Sequence, residues 1–256
     1  MSSGCTRNTP QQKATGNLMS HSLKGTTVLV TGASGNVGQA VVRAFAEQEA
    51  NVALVDLKIT PLREVIRSLE GDKDQFEPFA VDLSDPKAID DLFKAVDEKF
   101  GAVHHIVHTV GGFTMGDPVH AGKLDVFDQM MNLNARLLYL FGGKAGEYLI
   151  SKKSGGSISF MLARAGKKGG KENAAYSASK SAATRIMESM SAELKEHHIR
   201  VNGVSPSIID TPINRKDMPK ADFEKWVKPE QIGALMVFLA QNEAMTGADI
   251  EINAQS

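Results

Sequence analysis

Two residues in "NAAYSASKSAATR" (173–185) have the types and spacing for proton chemistry. Tyr176 and Lys180 are four apart, so on a helix they share one face. A phenol with a pKa near ~10 is a poor acid–base catalyst at neutral pH. A neighbouring ammonium stabilises the phenolate and lowers that value. Such a pair can protonate a carbonyl or imine as a hydride arrives, or run the reverse. Taken alone, Y-x-x-x-K also describes an ordinary solvated helix face, so its weight depends on what else the chain carries.

The second cluster is "VLVTGASGNVGQAVV", which sets Gly32, Gly35 and Gly38 between an apolar β-branched run and an amphipathic stretch. Gly32 permits a tight turn, Gly35 lets a pyrophosphate approach the backbone, and Gly38 lets helix and strand pack closely. Ser34, Asn36 and Val37 complete the expected phosphate-facing set, at a helix N-terminus with open N–H groups. Asp56 ends the next apolar run. A carboxylate there accepts hydrogen bonds from the adenosine ribose and repels a 2′-phosphate. NAD(H) is therefore the preferred cofactor, with NADP(H) the alternative because Lys58 lies close by. Leu57 beside Asp56, and Asp82 with Leu83 at the end of the third run, are placed against the adenosine. For both aspartates, loop capping is the competing reading.

The elements that must position these residues alternate along the chain. Strands are expected at 26–31, 51–56, 75–82, 103–109, 156–162, 199–206 and 248–253. Helices are expected after the glycine turn and at 61–70, 86–99, 123–151, 174–197 and 229–241. Apolar strands alternating with helices predict one α/β domain, a doubly wound parallel sheet of Rossmann type covered on both faces. That domain is expected over 24–256, behind a polar, flexible extension at 1–23. The extension holds the only cysteine, Cys5, so an intrachain disulfide is excluded.

Composition narrows the function classes. Of 256 residues 42% are hydrophobic, and the formal net charge is −1, which gives no electrostatic case for nucleic acid or an anionic membrane. No apolar run approaches the ~20 residues of a membrane span. The expected location is cytoplasmic and the expected partner a small-molecule substrate. His104, His105 and His108 invite a metal reading, but no second ligand group accompanies them and strand spacing spreads them too far, so no metal is expected. His108 falls where cofactors meet a parallel sheet, and a contact there is expected.

From about residue 24 to 254 the chain resembles the short-chain dehydrogenase/reductases, on "TGASGNVG", Asp56, "AVDLSD", "MNLNA", "YSASK" and "SPSIIDTP". The resemblance implies NAD(P)-dependent hydride transfer, with Tyr176 as proton donor and Lys180 holding the tyrosine and the nicotinamide ribose. It implies that Asn132, in "MNLNA", anchors the proton relay. It also implies cofactor contacts at Thr109 and Gly111, and at Ile209 and Thr211 near the nicotinamide, and a homodimer or homotetramer built through the 123–151 and 174–197 helices. Three places depart from the family pattern. Asn36 stands where a glycine is usual, "HTVGG" replaces N-N-A-G, and Ala163 stands where a serine polarises the substrate carbonyl. Losing such a donor costs about 2.7–4 kcal/mol in an enzyme built around it.

Those departures resemble the dihydropteridine reductase branch, as does "DTPINRKDMPKADFEKW" (210–226). The C-terminal segment is closer to ordinary bacterial short-chain reductases. The expected substrate is thus a small carbonyl or a conjugated imine of dihydropterin type. Phe113, Met218 and Trp226 are the expected substrate walls, with core packing the alternative for the aromatics. A non-catalytic dinucleotide-binding sensor is the rival function, compatible with Ala163 and opposed by the Tyr176/Lys180 pair.

Overall fold

The computed structural model describes residues 21–255. Seven strands form one all-parallel sheet in the order β3-β2-β1-β4-β5-β6-β7. They are β1 (Thr27–Thr31), β2 (Asn51–Asp56), β3 (Phe76–Ala80), β4 (His105–His108), β5 (Gly156–Met161), β6 (Ile199–Pro206) and β7 (Asp249–Ile252). The helices are α1 (Asn36–Ala46), α2 (Ile59–Ser68), α3 (Pro86–Phe100), α4 (Leu124–Met130), α5 (Leu137–Lys152), α6 (Ala174–Leu194), α7 (Pro212–Asp217) and α8 (Pro229–Gln241).

Alternate strand residues serve two cores. Leu29, Val55, Ile106 and Ile158 pack toward α3, α5 and α6. Val28, Val30, Leu54 and Val107 pack toward α1, α2 and α8. Both faces are buried, which is why these strands read as continuous apolar runs rather than alternating ones. Gly233 lets α8 lie on α1, since a Cβ there would come within 2.7 Å of the Ala40 carbonyl oxygen. The strand order reverses between β1 and β4. That opens a crevice at the carboxyl ends of the strands, where ligands of such sheets bind.

One expectation changes. The helix expected over 123–151 is interrupted: α4 runs into a π-helical turn, Met131–Arg136, before α5. The segment after β6 folds as α7 and a short 3₁₀ turn, Phe223–Lys225. The flexible extension, including Cys5, falls mostly on residues 1–20, outside the described residues. Of its remainder, Leu23 is buried in the core and its carbonyl accepts from the Thr26 hydroxyl at 2.7 Å.

Candidate active site

The glycine turn is as tight as its residues allow. Gly32 has φ +68°, and a Cβ on it would meet Thr109 Oγ1 at 2.8 Å. A Cβ on Gly38 would lie 2.0 Å from the Gly32 carbonyl oxygen, so only glycine lets α1 start here. Gly35 caps α1 with no side-chain hydrogen bond, which leaves first-turn N–H groups open to an anion. These are the places where a dinucleotide pyrophosphate fits.

Asp56 is already engaged. Its Oδ2 accepts from the Ser34 hydroxyl (2.6 Å) and N–H (3.2 Å), and its Oδ1 accepts from the Leu57 N–H (2.8 Å). Asp56 thus makes loop-capping bonds. Beside it opens a cleft of about 460 Å³ lined by Gly32, Asp56, Leu57, Asp82, Leu83, Val110 and Asn132. Asp82 accepts from the Ser84 N–H at 2.9 Å, and bonding with Ser84 holds its carboxyl below the usual range. Thr109 donates to the Thr31 carbonyl (2.7 Å) and fixes the turn after β4.

Tyr176 lies in the first turn of α6, and Lys180 one turn on. The Lys180 ammonium is buried and donates to the Met161 carbonyl at 3.0 Å. Burial without a carboxylate pushes its pKa down to about 8. No group among the described residues hydrogen-bonds the Tyr176 hydroxyl, and burial pushes its pKa up to about 12. The expected lowering of the phenol by Lys180 is therefore not made in this state, because the ammonium is turned to the β5 carbonyl.

Asn132 and Asn134 divide otherwise than expected. Asn132 is exposed and lines the cleft beside Asp56. Asn134 is buried, with Oδ1 accepting from the Gly112 N–H (2.9 Å) and Nδ2 donating to the Gly112 carbonyl (3.0 Å) and the Ser179 hydroxyl (3.0 Å). Ser179 in turn donates to the Tyr176 carbonyl (2.8 Å). A Cβ on Gly111 would meet Asn134 Oδ1 at 2.8 Å and Lys180 Nζ at 3.1 Å, which puts all three groups together. Of the two, Asn134 is the one placed beside Gly111, Lys180 and the backbone of Tyr176. Two residues apart on a helix point to opposite sides, so only one of the pair can face inward. Buried Met130, Asn134, Leu138 and Phe141 recur at helical spacing, a signal that marks Asn134 rather than Asn132.

The substrate walls are reached in part. Phe113 stands edge-on to the Tyr176 ring (centroids 4.8 Å, 87°) and is itself exposed. Met218, at the end of α7, is exposed too. Trp226 is not a wall: it is 4% exposed and packs on Phe223. Its neighbour Val227 pairs with Ile209 in a strand-like bridge, with Val227 N–H donating to the Ile208 carbonyl (2.9 Å), and this draws the indole inward. Thr211 is buried and caps α7 through the Asn214 N–H (3.3 Å). Next to it Asp210 accepts from Arg215 (2.5 and 2.7 Å) and Lys228 (2.9 Å), and Arg215 then Lys228 hold its carboxyl well below the usual range.

Ala163 is buried at the end of β5 and offers no donor. The Ser177 hydroxyl is spent on the Asn173 carbonyl (3.0 Å), so it does not replace the missing serine. His108 does not reach the crevice. It is buried, pairs with the Thr31 hydroxyl (2.8 Å), stacks on Phe141 (5.0 Å), and burial pushes its pKa down to about 3.

The sheet order, the glycine turn and the α6 pair define a nucleotide-dependent oxidoreductase. The short chain dehydrogenase family profile matches residues 26–222, and the chain belongs to that family of NAD(P)-dependent oxidoreductases. It is 29% identical over 242 residues to the D-threitol dehydrogenase of Mycolicibacterium smegmatis, covering 90% of this chain and 92% of that one. A short-chain type dehydrogenase/reductase from Mycobacterium marinum superposes with a TM-score of 0.82 at 26% identity, covering 91% and 95%. NAD+-bound xylitol dehydrogenase shares the fold, with a TM-score of 0.82 at 22% identity, covering 91% and 100%.

Proposed function

We propose that the protein is an NAD(H)-preferring reductase in which Tyr176 donates the proton. The observation that supports this is the Tyr176 hydroxyl, without a hydrogen-bond partner among the described residues and one helical turn before buried Lys180. Gly32, Gly35, Gly38 and Ser34 would hold the dinucleotide phosphates, Asp56, Leu57, Asp82 and Leu83 the adenosine, and Thr109, Gly111, Ile209 and Thr211 the nicotinamide end. When bound, the cofactor supplies the hydride. Asp56 opposes a 2′-phosphate, which favours NAD(H) over NADP(H).

With its pKa near 12, Tyr176 stays protonated at neutral pH, which suits a donor in the reductive direction. Its proton goes to the substrate oxygen or nitrogen. The Lys180 charge on the same helix face stabilises the phenolate left behind. Asn134 holds Gly112, and through Ser179 the backbone of Tyr176, so that loop and helix stay in register.

The substrate side mixes apolar chains with Asp117, Lys123, Glu172 and Asn173. Phe113 borders Tyr176, and a hollow of about 220 Å³ lined by Met115, Val119, Leu124 and Phe127 reaches Ala174 and Ala175. Without a hydroxyl at Ala163 the site suits a flat substrate whose C=N or C=O is already polarised by conjugation, a dihydropterin-like ring being the leading case. The same absence favours the second reading, a dinucleotide-binding sensor with no turnover. The chain is expected to work in the cytoplasm as a homodimer or homotetramer through α5 and α6, which sedimentation tests.

The deciding experiment follows NADH and NADPH oxidation with quinonoid dihydropterin, quinones, diketones and a 3-oxoacyl thioester. Turnover of the pterin supports the conjugated-imine substrate. Turnover of carbonyls alone removes it, and no turnover with intact NADH binding leaves the sensor.

A further inference from the structure

A second large hollow lies at the opposite edge of the sheet, by the amino ends of β1, β4, β5 and β6. It measures about 880 Å³. Its lining includes His104, His105, Lys195, His198 and Arg200, with Glu243 the one carboxylate among the described residues. That carboxylate lies 3.2 Å from the His21 imidazole.

Arg200 is the key group. Its guanidinium is half-buried and donates to the last carbonyls of α8, Leu239 (2.5 Å) and Ala240 (2.8 Å). Those two bonds leave the rest of the donor fork unspent. Other partly buried cations sit against carboxylates: Lys144 on Asp90 (2.9 Å), Lys152 on Asp97 (2.5 Å) and Lys228 on Asp210 (2.9 Å). Arg200 has no carboxylate within ion-pairing distance among the described residues; Glu243 acts on it only from further off, and burial lowers its pKa.

The histidines add donors. His104 Nδ1 accepts from the Thr27 N–H at 3.0 Å, so its neutral ring carries the proton on Nε2. His105 Nδ1 is paired with the Ser157 hydroxyl at 2.9 Å, and its Nε2 has no partner among the described residues. Nothing in the dinucleotide reaction uses this edge, since Tyr176 and the glycine turn lie at the carboxyl ends of the strands.

We propose that this hollow binds a small doubly charged oxyanion of the phosphate class. Arg200 and Lys195 supply the charge and the imidazole N–H groups the orientation. The occupant is a free phosphate or the phosphate of a small ester.

The test titrates inorganic phosphate and glycerol phosphate into the full-length protein with NADH saturating, at constant ionic strength set by chloride. Histidine ring protons are followed by NMR. Saturable shifts at His104, His105 and His198 are expected with at least one of the two, and the tighter one names the source. Lys195→Glu, on the exposed rim, should weaken binding about tenfold, and Arg200→Gln should remove it. If Arg200→Gln does not fold, Lys195→Glu and His198→Asn carry the test. Non-saturating shifts equal to those with chloride would overturn the proposal. So would binding abolished by NADH, which would place the anion at the glycine turn, or unchanged affinity in Lys195→Glu.

Discussion

Asp56 enters the crevice with both carboxylate oxygens engaged, by Ser34 and Leu57, whereas the Tyr176 hydroxyl has no hydrogen-bond partner among the described residues and its ring stands edge-on to Phe113. The dinucleotide side is preorganised: glycines fix the backbone, and Thr109 ties β4 to β1. The other side carries exposed apolar chains on the loop after β4 and at the start of α4, with Phe113, Met115 and Leu124 all open to solvent. The difference has a physical basis. A shared cofactor of fixed shape rewards a rigid cradle, since preorganisation spares ordering cost on binding. A substrate side built from loops can change its chemistry while the scaffold stays put.

Breaking the preorganised side should have the largest effect. Gly38→Ala puts a methyl 2.0 Å from the Gly32 carbonyl oxygen. We expect a stability loss of about 3 kcal/mol or more and loss of NADH binding, read by denaturant unfolding and fluorescence titration. Next comes the join between the two sides. Asn134→Ala strips three buried hydrogen bonds and should cost about 2–3 kcal/mol with a fall in kcat. Asn132→Ala, on the exposed rim, should stay within about 0.5 kcal/mol. Equal effects would erase the distinction between the two asparagines.

Lys180→Met tests whether this cation is held for chemistry at the expense of stability. The folded pKa near 8 lies below the ordinary 10.5, so the burial penalty is fully present below about pH 8 and fades as pH rises toward 10.5. The variant should be inactive yet more stable at neutral pH, by ~1 kcal/mol or more. The gain should shrink in alkaline solution, as thermal melts across pH will show. The smallest effect is at Asp56. Asp56→Asn keeps the Ser34 contact but removes the charge, and the NADH-to-NADPH preference should fall about tenfold while stability changes little.

What was legible in the sequence follows the same division. The alternation of apolar runs and helices yields every strand of the sheet: the central strands are largely apolar because both faces are buried, while the edge strand β7 (DIEI) is partly exposed and reads as an alternation. The glycine turn is legible because backbone closeness leaves only one residue type. The sequence "MNLNA" offers two asparagines, and the π-helical turn that exposes Asn132 and buries Asn134 has no distinct composition. Trp226 was placed on the substrate wall by its type and segment. Its inward turn comes from a bridge between Ile209 and Val227 that no local pattern announces. His108 reads as a cofactor contact from its place at a strand end, but the strand's pleat sends it toward Phe141 instead.

The central claim is that Tyr176 moves the proton, and the most direct measurement is NADH-dependent turnover in Tyr176→Phe beside its NADH affinity. The account predicts a kcat reduced by about 10²–10⁴ with NADH binding nearly unchanged. Turnover close to that of the unaltered protein would contradict it.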